Sequence, residues 1–241
     1  MKRIVFAGPS LPPGKGPEGI EIRAPARKGD LLIAARDGAA IIGLVDGFFE
    51  TAPSVWHKEI LFCISRGIVV AGAASMGALR AAECAAFGMI GIGRIFREYH
   101  DGTRTADADV AVLHAPAELG HAALSLALVD AEVTVERMLA AGAISDAEAA
   151  AVLQAARELH FKDRSWDSIL AALKGPAMLA DRLRELLPGF RADQKRDDCQ
   201  ELLQFVRDHP LRPLPPRFEL QRSAFLTELL RALERPATET R

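Results

Sequence analysis

The chain has 241 residues, 49% hydrophobic and 26% charged, with a net charge of −2. This is ordinary globular composition, long enough for a sizeable core and without the basic footprint of a nucleic-acid binder. Cys63, Cys84 and Cys199 lie far apart, with no Cys-x-x-Cys and no metal spacing, so reduced thiols in the cytoplasm are expected and metal ligands are not.

Residues 3–7 form a β-rich run that ends at Gly8-Pro9-Ser10. The run is too short for a signal peptide. The weakly polar stretch 67–79 stops at Arg80 and is too short to span a membrane. A soluble cytoplasmic protein is therefore expected. Residues 20–23 alternate apolar and charged side chains, and 30–36 read as a helix. The nearly all-apolar run 40–45 is bounded by Asp46-Gly47, and 55–66 carry Ile60, Leu61 and Ile64 at helical spacing. Residues 68–71 read as another buried strand and 76–87 as a small-residue helix. Apolar strands alternating with helices predict an α/β fold: a small open parallel sheet flanked by helices.

Strand signals fade after about residue 122. Residues 146–159, 166–173, 178–187 and 193–208 read as amphipathic helices, and Ser145 with Asp146 and Glu148 makes a helix start. The Pro-rich run 209–217 breaks the last pair of helices, and 236–241 read as a frayed tail. The expected division is an α/β core over 1–125 and an all-helical region over 126–241, either an appendage or a second small domain.

The most informative stretch is Val69-Val70-Ala71-Gly72-Ala73-Ala74-Ser75-Met76-Gly77. A buried strand runs into small residues, one serine and then a helix. Ser75 would sit among unpaired N–H groups, and the amides of Met76 and Gly77 could hold an oxyanion. The pattern resembles a nucleophile elbow with alanine in place of the first glycine; the plainer reading is an N-cap serine. Gly8, Ser10 and Asp46 also follow strands, and ligands of open parallel sheets bind outside the strands' carboxyl ends. Asp46 is alternatively a turn former.

His57-Lys58-Glu59 could supply a base, a cation and a carboxylate, or simply a solvated first turn. Arg80 and Glu83 are three apart and could pair or face a pocket. Asp107 and Asp109 would share one face of a strand and could orient His114. The order Ser75, Asp107 or Asp109, His114 matches that of an α/β-hydrolase. The stretch Gly8 to Gly16 superficially resembles a phosphate loop, but its spacing is one residue too long and its prolines remove amide donors.

Several blocks together resemble the core of TfuA-like proteins: Gly8-Pro9-Ser10-Leu11, Val45-Asp46-Gly47-Phe48-Phe49, Val55-Trp56-His57-Lys58-Glu59-Ile60-Leu61, Ser75-Met76-Gly77-Ala78-Leu79-Arg80-Ala81-Ala82-Glu83, Phe87-Gly88-Met89-Ile90-Gly91-Ile92-Gly93 and Asp107-Ala108-Asp109-Val110-Ala111-Val112. The resemblance covers roughly the first half of the chain. It implies a partner of a YcaO enzyme in peptide thioamidation, which releases sulfide from a thiocarboxylated ThiS-like carrier for use on a precursor peptide. YcaO consumes the ATP, so no bound cofactor is expected here. On this reading Ser75 attacks the thioacid carbonyl and His57 accepts the proton. The Met76 and Gly77 amides hold the oxyanion, while Lys58 or Arg80 holds the carboxylate or thiolate. A non-catalytic adaptor of YcaO and an unrelated small-molecule serine hydrolase are the alternatives.

Overall fold

The structure, a computed structural model, describes residues 1–234 other than Pro13, Thr51, Gly175, Pro176, Pro213, Leu214 and Arg217. The tail expected over 236–241 lies outside the described residues, as does part of the Pro-rich run.

Five strands, β1 (Lys2–Phe6), β2 (Glu21–Arg23), β3 (Ala39–Leu44), β4 (Val69–Gly72) and β5 (Ile90–Gly91), form one sheet in the order β2-β1-β3-β4-β5. Every pairing is parallel. The apolar runs are continuous because both faces are covered, and alternate side chains serve alternate faces. Ile4, Phe6, Ile42, Leu44 and Val70 pack with Leu31, Ile60, Cys63 and Ala81. These last four come from helices α1 (Asp30–Arg36), α2 (His57–Ser65) and α3 (Met76–Cys84).

Val5, Ile41, Val69 and Ala71 face the other way and meet Cys199, Leu202, Leu203 and Val206. The 7–20 connection between β1 and β2 carries no helix among its described residues, so this face needs a cover from elsewhere. A C-terminal helix, α9 (Gln194–Asp208), supplies it. Arg3 ties the far end of α9 down, donating from Nε to Val206 O at 2.8 Å and from Nη2 to His209 O at 3.2 Å.

Between sheet and α9 in sequence come α4 (Gly93–His100), α5 (Leu128–Ala140), α6 (Asp146–Glu158), α7 (Trp166–Ala171) and α8 (Ala177–Phe190), and α10 (Ala224–Glu234) follows. Helices α5 to α8 share their own core around Met138, Val152, Ile169, Leu183 and Leu187. The stretch 126–241 thus builds a core of its own and also covers the sheet. Ser145 caps α6 as expected, its hydroxyl accepting from Glu148 N while Glu148 accepts from Ser145 N at 2.8 Å.

Helices α4 and α5 were not foreseen. Val129, Val133, Thr134 and Val135 give α5 a β-branched composition that obscures its helical period. In α4 only Gly93 and Ile95 are buried; its start is held by buried Asp198 of α9, which accepts from Arg94 N at 3.0 Å and Ile95 N at 2.8 Å. The strand considered for Asp107 and Asp109 is instead a single 3-10 turn, Asp107–Asp109. Arg104 draws the Asp109 carboxylate away at 2.7 Å. Among the described residues no helix is long and apolar enough to cross a membrane.

Candidate functional site

In a 2-1-3-4-5 order the connections diverge between β1 and β3, which opens a crevice at the strands' carboxyl ends. Asp46 follows β3 there and is buried. Its Oδ2 accepts from Gly8 N at 2.8 Å and Ser10 N at 2.9 Å, and its Oδ1 from Ser10 Oγ at 2.8 Å. Asp46 is therefore more than a turn former: it clamps the loop after β1. Gly8, Ser10 and Asp46 form the unit at the switch point.

Ser75 lies one strand over. After β4 the chain turns through Ala74, which holds a left-handed φ of 66°. Such strain in a residue with a side chain gathers at functional sites. Helix α3 then begins hard against the sheet. A Cβ on Gly77 would lie 1.8 Å from Leu44 O, so only glycine fits. The Gly77 N–H donates to Val45 O at 3.0 Å. That corrects its expected role, because an amide committed to the sheet has no donor for an oxyanion. The Met76 amide stands at the first position of α3.

Ser75 occupies the N-cap position of α3, yet its side chain makes no cap hydrogen bond. It is 2% exposed, and its hydroxyl donates to Val110 O over a long 3.5 Å. The same carbonyl accepts from Lys195 Nζ at 2.8 Å. Lys195, on α9, is 3% exposed and escaped the sequence reading. The signal was there: Lys195 sits on the apolar stripe of Cys199, Leu202 and Val206, at spacings of four, three and four. Asp130 of α5 accepts from Lys195 N at 3.2 Å, and burial pushes its carboxyl up to about 7 against the pull of Lys195.

The His57-Lys58-Glu59 block divides into separate jobs. Glu59 is buried and accepts from Trp56 N at 2.8 Å and Gly29 N at 2.9 Å, pinning the starts of α2 and α1. Burial raises its carboxyl to about 7 despite these backbone donors. His57 is half exposed and hydrogen-bonds through Nε2 to Glu83 Oε2 at 2.8 Å. Arg80 pairs with the same oxygen at 2.6 Å and donates to Val55 O at 2.9 Å. Lys58 Nζ reaches Gln221 O at 3.5 Å. The structure therefore unites His57, Arg80 and Glu83 at the surface. The expected bond between His57 and Ser75 does not form, because each has a different partner.

The Ser75–Asp–His114 order does not become a triad either. Asp109 joins Arg104, which also binds Glu98 and Glu132 at 2.8 and 2.6 Å. His114 instead packs with Phe48 and His121, ring centroids 5.3 and 5.4 Å apart. The turn that carries Asp107 and Asp109 contributes to the Ser75 site through the Val110 carbonyl. His121 was also unforeseen. Its φ is 56°, and its buried Nδ1 has no hydrogen-bond partner among the described residues. Burial lowers its pKa, and His114 adds to the effect.

A cleft of about 740 Å³ lies away from this rim, between α4, α5 and α6. Its arginines Arg94, Arg104 and Arg157 are matched by Glu98, Glu132 and Glu136. All three cysteines are buried and free, and burial raises each thiol, Cys84 to about 11. No group of three or more His, Cys, Asp or Glu among the described residues could hold a metal ion.

No curated protein matches the chain. The family model for TfuA-like protein matches residues 46–165, a span that runs from Asp46 through α2, α3 and the Val110 turn to the residue before α7. The chain belongs to the TfuA-like protein family.

Proposed function

We propose that this protein works in the cytoplasm beside a YcaO enzyme in peptide backbone thioamidation, releasing hydrosulfide from a small ThiS-like carrier with a C-terminal thiocarboxylate. Family membership supports the setting. The observation that carries the chemistry is Ser75: a serine at an N-cap that does not cap, held by one long hydrogen bond at the carboxyl edge of a parallel sheet. An N-cap hydroxyl normally satisfies its own helix, so this one is left for another task.

In the proposed reaction Ser75 Oγ bonds to the thiocarboxylate carbon. The carbon–sulfur bond breaks with its electron pair on sulfur, which takes the Ser75 proton and leaves as hydrosulfide. Water then cleaves the acyl-serine, returning the carrier carboxylate, a proton and the free hydroxyl. The Met76 amide and the positive end of α3 favour the oxyanion. The YcaO partner uses ATP to activate the precursor amide that receives the sulfur.

An adaptor role is the second reading, and the His57–Arg80–Glu83 cluster favours it. These charged motif residues stand at the surface, where a partner protein can reach them. One experiment separates the two. Free sulfide is measured with thiocarboxylated carrier, wild type or Ser75→Ala, with and without YcaO. Release by wild type and loss of at least ~100-fold in Ser75→Ala supports the hydrolase, as is usual when a nucleophile is removed. Equal release by both rejects Ser75. No release without YcaO, and equal thioamide yield with either form, supports the adaptor.

A further inference from the structure

Lys195 is buried, and among the described residues no carboxylate is bonded to its Nζ; Asp130 and Asp193 act on it only at longer range. Its Nζ hydrogen bond goes to a neutral acceptor, Val110 O. Burying an ammonium costs several kcal/mol unless charge or good hydrogen bonding repays it. Its position adds to the cost. Lys195 lies in the first turn of the 15-residue helix α9, where the helix dipole repels cations and attracts anions.

A cavity of about 330 Å³ adjoins it, lined in part by Pro9, Ser125, Asp130, Arg191, Asp193 and Lys195. Pro9 belongs to the loop clamped by Asp46, so this cavity borders the loop that follows β1. Its volume suits a small chemical group and is at the low end for ligand pockets. Two carboxyl groups also face it. Burial raises both, Asp130 to about 7, and so disfavours their charged forms.

We propose that this cavity binds a small carboxylate-type anion, in the working protein the carrier's terminal thiocarboxylate, with the Lys195 ammonium as its counter-charge. The identity of the anion rests on the sulfide-releasing reading; the anion site itself does not. Ser75 and Lys195 donate to the same Val110 carbonyl, at 3.5 and 2.8 Å, which ties the hydroxyl to the residue that lines the cavity. As the carbon–sulfur bond breaks, charge gathers on sulfur beside the ammonium. The proton on the departing hydrosulfide comes from Ser75.

The test uses the full chain as wild type, Lys195→Gln and Lys195→Arg. Gln retains a donor for Val110 O and removes the charge; Arg retains the charge. Two readouts are taken: sulfide release from the thiocarboxylated carrier, and the rise in Tm with thioacetate against chloride of equal ionic strength. We expect Lys195→Gln to lose about 100-fold in kcat/KM, the usual scale for one electrostatic group, and Lys195→Arg to recover part of it. Thioacetate should raise the Tm of wild type and of Lys195→Arg but not of Lys195→Gln. A Tm rise confined to the charged forms, without sulfide release by wild type, would uphold the anion site and remove the hydrolase reading. Release by Lys195→Gln within threefold of wild type, or an equal thioacetate shift in all three, would overturn the proposal. Should Lys195→Gln fail to fold, the same comparison runs between wild type and Ser125→Asp, which adds a negative charge to the cavity wall and should abolish the thioacetate shift; an undiminished shift would overturn the site.

Discussion

Two polar clusters lie along α3, and they differ in almost every physical respect. His57 and Glu83 meet near the surface, where water competes for their bond, and the less exposed Arg80 pairs with Glu83 from beneath. Ser75, Val110 and Lys195 meet inside, with both side chains at most 3% exposed. The first cluster is rich in charge and worth little, because exposed ion pairs are screened and cost side-chain entropy. The second has one charge and no hydrated alternative. The same sequence block, Ser75 to Glu83, feeds both. Its first residue lies where α3 presses on the sheet, and the later ones lie one to two turns along, facing α2 and solvent. Charge in the sequence is therefore a poor guide to physical leverage, which burial decides.

The sharpest test of this contrast is Asp46→Ala. It strands three donors, Gly8 N, Ser10 N and Ser10 Oγ. At roughly 1–3 kcal/mol for each buried orphan, urea unfolding should show a loss of about 3 kcal/mol or more. Asp46→Asn, which keeps acceptor capacity, should lose less. Equal losses would mean that the clamp is not what holds the β1 loop.

The next effect is pH dependence. Glu59 and Asp130 are raised from ordinary values near 4 to about 7. The folded state therefore holds more protons than the unfolded one across that window. Stability from these groups is fullest below about pH 4, falls as pH rises toward 7, and levels off above it. Tm should be higher at pH 5 than at pH 8, and Glu59→Gln should flatten part of that slope. A Tm that rises from pH 5 to pH 8 would contradict the burial argument for both groups.

Smaller effects are expected at the remaining positions. Ser75→Ala removes one long hydrogen bond and should shift stability by less than about 1 kcal/mol, so its loss of sulfide release would not be an unfolding artefact. His57→Ala should cost about 0–1 kcal/mol, and less in high salt. A cost for His57→Ala comparable with Asp46→Ala would erase the distinction between the two clusters.

Much of the architecture was readable because apolar runs and helical periods are local. The strands at 3–7, 40–45 and 68–71 were each found to within a residue or so, and the capped start of α6 was legible from Ser145 and Glu148. Helix α5 was not, since its valines imitate a strand. Nor was α4, whose start depends on Asp198 about a hundred residues later. Within the site, the carboxyl-edge positions of Gly8, Ser10, Asp46 and Ser75 followed from the strand ends. The partners of those residues did not. Glu59 looked like an exposed carboxylate and is a buried clamp, while His57 looked like the partner of Ser75 and belongs to Glu83.

The sequence by itself determined the α/β class, the helical second half, the family and the rim residues, because each is written in a contiguous stretch of chain. Only the tertiary structure decided that α9 covers the open face of the sheet. It alone brought Lys195 to the carbonyl used by Ser75, over a separation of 120 positions. Burial and hydrogen-bond satisfaction are properties of packed neighbours, and no pattern within one segment encodes which distant segment will supply them.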